Sequence, residues 1–235
     1  MAIKVSVVGA TGRMGKLALE LIDAAEDLEL HSALDSKSDA SLSDGADVIF
    51  EVTRLEVSQQ VVAKAIAGGQ KVVVGTSGWS AAKLVELKDL GEAAVVVIPN
   101  FSVGSMLATR FAAEAGRYFD SIEIVETHHA GKLDSPSGTA VRTAELISAN
   151  RTTPVTAPAA DQDARGQLVA GIPVHSLRLA GVSAKQDVHF GGVSELLTIS
   201  HETSSVSAYS AGILAAIRFA ANAQGLHVGL DAVFK

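Results

Sequence analysis

Ile3-Lys4-Val5-Ser6-Val7-Val8-Gly9-Ala10-Thr11-Gly12-Arg13-Met14-Gly15 is the stretch whose reading decides the fold. A β-branched run ends on a glycine, and two more glycines follow at three-residue spacing. Met14, Leu17, Ala18, Leu21, Ile22 and Ala25 then fall on one face of a helix. Strand, tight turn, helix is the setting in which glycines let a backbone approach a pyrophosphate and a helix start offers it free N–H groups. The spacing G-x-x-G-x-x-G is a variant of the dinucleotide fingerprint, carried here by its structural context.

The same rhythm continues outward. Leu28–Leu34, Val48–Thr53, Lys71–Thr76 and Ala94–Pro99 read as further buried strands, with helices expected over Gln59–Ala67 and Ala81–Leu90, the latter capped by Ser80. Strand–helix repetition implies a parallel, Rossmann-like sheet with right-handed crossovers. Asp35 closes the second strand, 20 residues beyond Gly15, where an acid accepts hydrogen bonds from adenosine ribose hydroxyls. Arg13 and Lys37 stand ready for a 2′-phosphate instead, so NADH and NADPH both remain open. Gly75-Thr76-Ser77-Gly78 and Pro99-Asn100-Phe101-Ser102 end two more strands and are expected to line the same crevice.

Beyond residue 100 the pattern changes. Helices are expected over Gly104–Tyr118, about Ser137–Ala149 and about Ala208–Asn222. Strands are expected at Ser121–His129, Ile172–Ala180, Lys185–Phe190 and Glu195–His201, with 150–171 an exposed loop. Strands in succession without helices between them indicate antiparallel pairing, hence an α+β domain with a mixed, largely antiparallel sheet.

Composition excludes several classes. With no cysteine there is no thiolate nucleophile, disulfide, Cys-ligated zinc or iron–sulfur cluster. Nineteen basic against 26 acidic residues (net −7) argue against binding nucleic acid. The apolar runs are too short to span a membrane, and the start is a strand rather than a cleavable leader, so a cytoplasmic protein is expected.

The densest chemistry is Glu126-Thr127-His128-His129-Ala130-Gly131-Lys132-Leu133-Asp134-Ser135-Pro136-Ser137-Gly138-Thr139-Ala140. No metal site is expected, because neighbouring histidines on a strand face opposite ways and no third ligand stands at regular spacing. A P-loop would need its lysine after the glycine, and a serine hydrolase would need G-x-S-x-G. What remains is a cationic pocket. Ser137-Gly138-Thr139 opens a helix whose N–H groups can hold a carboxylate, His128 or His129 can exchange a proton, and Lys132 adds positive charge or an acid.

VVGATGRMG, VVVGTSGW, IPNFSVG and ETHHAGKLDSPSGTA, with GIPVHSLRLAG and GLHVGLD, together resemble the 4-hydroxy-tetrahydrodipicolinate (dihydrodipicolinate) reductase family, most of all its actinobacterial branch. The resemblance covers nearly the whole chain. It implies a dinucleotide-binding domain of residues 1–102 and 207–235 and a substrate-binding and oligomerisation domain of residues 103–206. NADH or NADPH would be held by Gly9, Ala10, Thr11, Gly12, Arg13, Met14, Asp35, Gly75, Thr76, Ser77, Ile98, Pro99, Asn100 and Phe101. The implied reaction is hydride transfer to a cyclic dicarboxylate with loss of water, in lysine and diaminopimelate biosynthesis. His128 would exchange the proton with Lys132 as a second donor, while His129, Ser137, Gly138 and Thr139 hold a substrate carboxylate. A homotetramer joined through the mixed sheets is implied too.

Four departures accompany the resemblance. Thr127 and Ser135 replace the family's usual Leu and Ala, Glu51-Val52-Thr53 stands where Asp-Phe-Thr is common, and Val206 occupies the place of a common Arg. The competing readings are another two-domain nicotinamide dehydrogenase, whose thiol-dependent kinds lack their cysteine here, and a catalytically silent NAD-binding sensor.

Overall fold

A strand covered on both faces has no use for alternation, and the inner strands of the first sheet show it. Val5, Val7 and Val8 of β1 (Ile3–Val8) are buried, as is every residue of β3 (Val48–Glu51) and β5 (Ala94–Val97). The computed structural model describes residues 2–87 and 90–234. It divides into two compact units, Met1–Val103 with Val206–Lys235, and Gly104–Ser205.

In the first unit a six-stranded sheet runs in the order β11-β5-β4-β3-β1-β2, adding β2 (Leu28–Leu34), β4 (Lys71–Val74) and β11 (Gly225–Val228). Every pairing is parallel. From β1 the chain goes to β2 on one side and then to β3 on the other, so the strand order reverses at β1 and β3. Ligands of open parallel sheets gather at the carboxyl end of such a switch. Helices α1 (Arg13–Ala24), α2 (Leu55–Ala67) and α3 (Ala81–Val85) are the crossovers, α3 with Ser80 Oγ accepting from Lys83 N–H. Val62 and Ala65 of α2 press on Ile49, Val72 and Val95 in the core.

Three expectations shift here. α2 begins a turn earlier than its apolar pattern suggests, and α3 ends at Val85, with Lys88 and Asp89 of the expected helix lying outside the described residues. β11 falls where no strand is expected, because its four residues follow α6 (Ser210–Asn222) too closely for periodicity to show. A 3-10 turn, Val206–Tyr209, precedes α6.

The second unit carries a five-stranded sheet in the order β10-β9-β6-β8-β7: β6 (Ser121–His129), β7 (Gln167–Val169), β8 (Ile172–Leu179), β9 (Ala184–Gly192) and β10 (Glu195–Thr203). Consecutive strands do not all pair as expected. β9 and β10 are antiparallel neighbours, but β8 and β9 flank β6 on opposite sides, and β8 runs parallel to it. β6 takes the centre, with β8 and β9, of eight and nine residues, on its two edges. Residues 150–171 also hold more order than expected: a 3-10 turn at Asp163–Arg165, then β7 antiparallel to β8. Ala112 of α4 (Val103–Ala115) and Ala140, Ala144 and Ile147 of α5 (Gly138–Ala149) cover one sheet face, packing on Ile122, Ile124, Val174 and Phe190.

Candidate active site

β6 delivers the motif residues. Glu126 and His128, two apart, share the face that also carries Ile122 and Ile124, while His129 turns to the opposite side and is exposed. Glu126 is wholly buried. A buried carboxylate needs a partner, and the parallel register supplies it: Ser176 pairs with Glu126 and Arg178 with His128. The Arg178 guanidinium donates from both terminal nitrogens to the two Glu126 oxygens, at 2.9 and 3.0 Å. Ser137 N–H adds a third donor at 3.1 Å. Burial pushes the Glu126 carboxyl upward, but hydrogen bonds from Arg178, Ser176 and His128 outweigh it and hold the group below the usual carboxylate range.

His128 Nδ1 lies 2.5 Å from Glu126 Oε2. Glu126 accepts at that atom, so the neutral ring carries its proton on Nδ1 and leaves Nε2 for a ligand. Burial lowers the His128 pKa below its ordinary 6.5; Glu126 opposes this, and the charges of Lys132 and Arg178 reinforce it. Lys132 donates to both Asp134 oxygens, at 2.7 and 2.9 Å. Arg178 also donates to the backbone oxygens of Lys132 (3.3 Å) and Asp134 (2.6 Å), so one guanidinium ties the 132–134 loop to the carboxylate that orients His128.

α5 completes this half. Ser137 Oγ caps the helix by accepting from Ala140 N–H at 3.2 Å, so both its hydroxyl and its amide are engaged internally. A Cβ added at Gly138 would meet nothing within 4 Å, which leaves open space before the helix start. The first turn of α5 contains no acidic residue to repel an anion. Among the described residues no group of three or more His, Cys, Asp or Glu is placed to hold a metal.

The first unit holds its own anion cradle. Gly9 adopts φ +93°, and a Cβ on Gly15 would lie 2.2 Å from the Gly9 oxygen, so strand end and helix start touch backbone to backbone. α1 begins with Gly12 as an N-cap without a side-chain bond and with no acidic first turn. These residues fit a dinucleotide pyrophosphate. Asp35 Oδ1 accepts from Lys37 N–H and Ser38 Oγ, each at 2.9 Å, and the Lys37 amide and Ser38 hydroxyl hold its carboxyl below the usual range. A Cβ on Gly75 would strike the Phe101 ring at 2.8 Å and Val52 at 2.9 Å, which brings two of the expected loops together. Ile98 is fully buried, Phe101 stacks at 5.6 Å from Phe50, and Asn100 Oδ1 accepts from Ser102 N–H.

Sequence reasoning overlooked Arg178 and gave Glu126 no role. A signal existed for both: Glu126 occupies an inward position of a central strand, and Arg178 is the charged member of an otherwise apolar or neutral strand.

Residues 3–101 match the family model described as dihydrodipicolinate reductase, N-terminus, and residues 104–234 match its C-terminus. The 4-hydroxy-tetrahydrodipicolinate reductase of Clavibacter sepedonicus is 58% identical over 237 residues, 98% of this chain and 86% of the relative. That of Streptomyces griseus is 40% identical over 241 residues, 97% and 96% of the two chains. The dipicolinate-bound dihydrodipicolinate reductase of Paenisporosarcina sp. TG-14 superimposes with a TM-score of 0.84 at 29% identity, covering 98% of this chain and 99% of that one. These full-length matches favour neither a silent sensor nor a different dehydrogenase. The chain belongs to the dihydrodipicolinate reductase family and is an NAD(P)H-dependent oxidoreductase.

Proposed function

We propose that the protein reduces 4-hydroxy-tetrahydrodipicolinate to tetrahydrodipicolinate, with loss of water, in lysine and diaminopimelate biosynthesis. The observation that carries this is the Arg178–Glu126–His128 array beside Lys132 and the open start of α5. The first unit binds the dinucleotide, through Gly9–Met14, Asp35 and the backbone of 75–77 and 98–101, and the second binds the dicarboxylate. The bound nicotinamide supplies the hydride.

The protein's own residues do the rest. N–H groups of Gly138 and Thr139, with His129, hold a substrate carboxylate, and Ser137 secures the helix start that presents them. His128 exchanges the proton at Nε2. Its resting ring is biased neutral, and a bound dianion beside it favours the protonated form that donates. Lys132, braced by Asp134, is the second donor. Asp35 favours an unphosphorylated ribose, because its ionised carboxylate stands where a 2′-phosphate would add a second negative charge.

The open face of the mixed sheet supports self-association into a homotetramer. Leu168, Leu177, Leu179 and Leu196 point away from the helices there and are 46–71% exposed. Among the described residues no helix is long and apolar enough to cross a membrane, in keeping with work in the cytoplasm. The test is a coupled assay: dihydrodipicolinate synthase product should drive oxidation of NADH or NADPH, and its failure with both would reject the proposal.

A further inference from the structure

Glu51 ends β3 with no accessible surface, beside the point where the strand order reverses. Its Oε1 accepts from Thr53 N–H at 2.7 Å, from Thr76 Oγ1 at 2.8 Å and from Thr53 Oγ1. Its Oε2 accepts from Ser58 Oγ at 2.5 Å. Two of these protons have their direction fixed by a further bond. Thr76 Oγ1 accepts from Thr53 N–H at 2.8 Å, so its own hydrogen goes to Glu51. Ser58 Oγ accepts from Trp79 Nε1–H at 3.0 Å, so its hydrogen goes to Glu51 too.

Such a shell suits an acceptor-only group, and all of these donors are neutral. Stability alone does not call for it. A carboxylate buried among valines and phenylalanines is costly compared with an apolar side chain, even when hydrogen-bonded. The origin of the donors supplies the reason. Thr53 lies in the turn after β3, Thr76 in the loop after β4, Ser58 in the first turns of α2, and Trp79 just before α3. The turn after β3 is in turn the wall of the glycine loop, since a Cβ on Gly9 would sit 2.5 Å from the Val52 oxygen.

We propose that Glu51 is the positioning residue of the dinucleotide site, fastening the turns after β3 and β4 against each other so that the cradle is set before the nucleotide arrives. This rests on the reading of the first unit as the cofactor site. Glu51 need not touch the nucleotide. Because Thr76 spends its hydroxyl inward, it is the backbone of Gly75–Ser77 that faces the ligand. The glutamate, where Asp is common in the family, has the extra methylene that lets one oxygen reach α2 while the other serves the turn.

Trp79 is the single tryptophan of the chain, so the network carries its own reporter. The experiment titrates wild type, E51Q and S58A with NADH and with NADPH by calorimetry, alongside Trp79 emission and thermal melts. E51Q turns an N–H toward a shell of donors, and its Kd for the preferred cofactor should rise about tenfold, with the KM for the dicarboxylate within about twofold of wild type. S58A should weaken binding about threefold and shift the Trp79 emission, since the indole N–H loses its acceptor. If folded E51Q and S58A both bind cofactor with wild-type Kd, whatever their melting points, the proposal is overturned. Should E51Q not fold, S58A decides in the same way. A wild-type protein that binds neither cofactor would instead refute the reading of the first unit.

Discussion

Arg178 and Glu126 stand on neighbouring parallel strands, and their side chains meet in a two-pronged ion pair at 2.9 and 3.0 Å, one nitrogen to each oxygen. Fork-on-fork geometry is the strong form of this contact, and here its product is electrostatic. Glu126 would by itself draw a proton onto His128; clasped by Arg178, it orients the ring with little net charge behind it.

Replacing Arg178 with Met should therefore raise the His128 pKa. Removing the guanidinium takes away one positive charge that lowers it and leaves Glu126 less compensated. Proton NMR titration of the His128 Cε1 resonance reads this directly. An unchanged or lowered value in R178M would contradict the arrangement.

His128→Gln and Lys132→Ala should each reduce kcat by roughly 10²- to 10⁴-fold, the usual contribution of a positioned proton donor. Cofactor Kd should stay within about twofold, because both residues belong to the second unit. Collapse of cofactor affinity with kcat retained would reverse the division of labour between the units.

A part-buried neutral histidine also makes the fold acid-sensitive. His128 has its folded pKa below the ordinary 6.5, so its contribution to stability is full above about 6.5 and is lost as pH falls through the lowered value. Melting curves from pH 7 to pH 5 should show wild type losing stability over this range. H128Q should lose less; equal slopes would count against a neutral resting ring.

Asp35→Ala should raise the ratio of kcat/KM for NADPH over NADH by about tenfold, through relief of one like-charge contact. Lys37 and Arg13 stay in place to receive the phosphate. A ratio that does not move would place the ribose elsewhere.

Leu177→Glu puts a charge on the exposed apolar side of β8, beside Leu179. Light scattering at micromolar concentration should show wild type as a tetramer and L177E as a smaller species, with the near-ultraviolet spectrum of the folded chain preserved. A tetrameric L177E would move the interface away from this face.

Much of this was legible in the residue order, and the omissions share a cause. The inner strands of the first unit show because burial on both faces favours β-branched runs. The Ser80 cap shows because a cap is local. Arg178 is 52 residues from Glu126, and Glu51 takes its donors from as far as Thr76, 25 residues away. Such partners become neighbours only through strand register, and periodicity says nothing about which strand lies beside which. The same blindness produced the expectation that β8 and β9 pair: adjacency along the chain was read as adjacency in the sheet, whereas β6 lies between them. β7 and β11, of three and four residues, are too short to declare a period at all.

The return of the chain to its first sheet bears on how it is born. β5 waits for β11 to cover its open edge, and α6 is seated so closely on the segment after β5 that a Cβ on Gly212 would lie 1.9 Å from the Phe101 oxygen. The first unit is thus begun before residues 104–205 and closed only after they have been synthesised. At ordinary elongation rates of about 5–20 residues per second, β5 stays uncovered for about 6 to 26 seconds. A chain released between residues 205 and 225 would carry the second unit whole and leave the dinucleotide half unclosed.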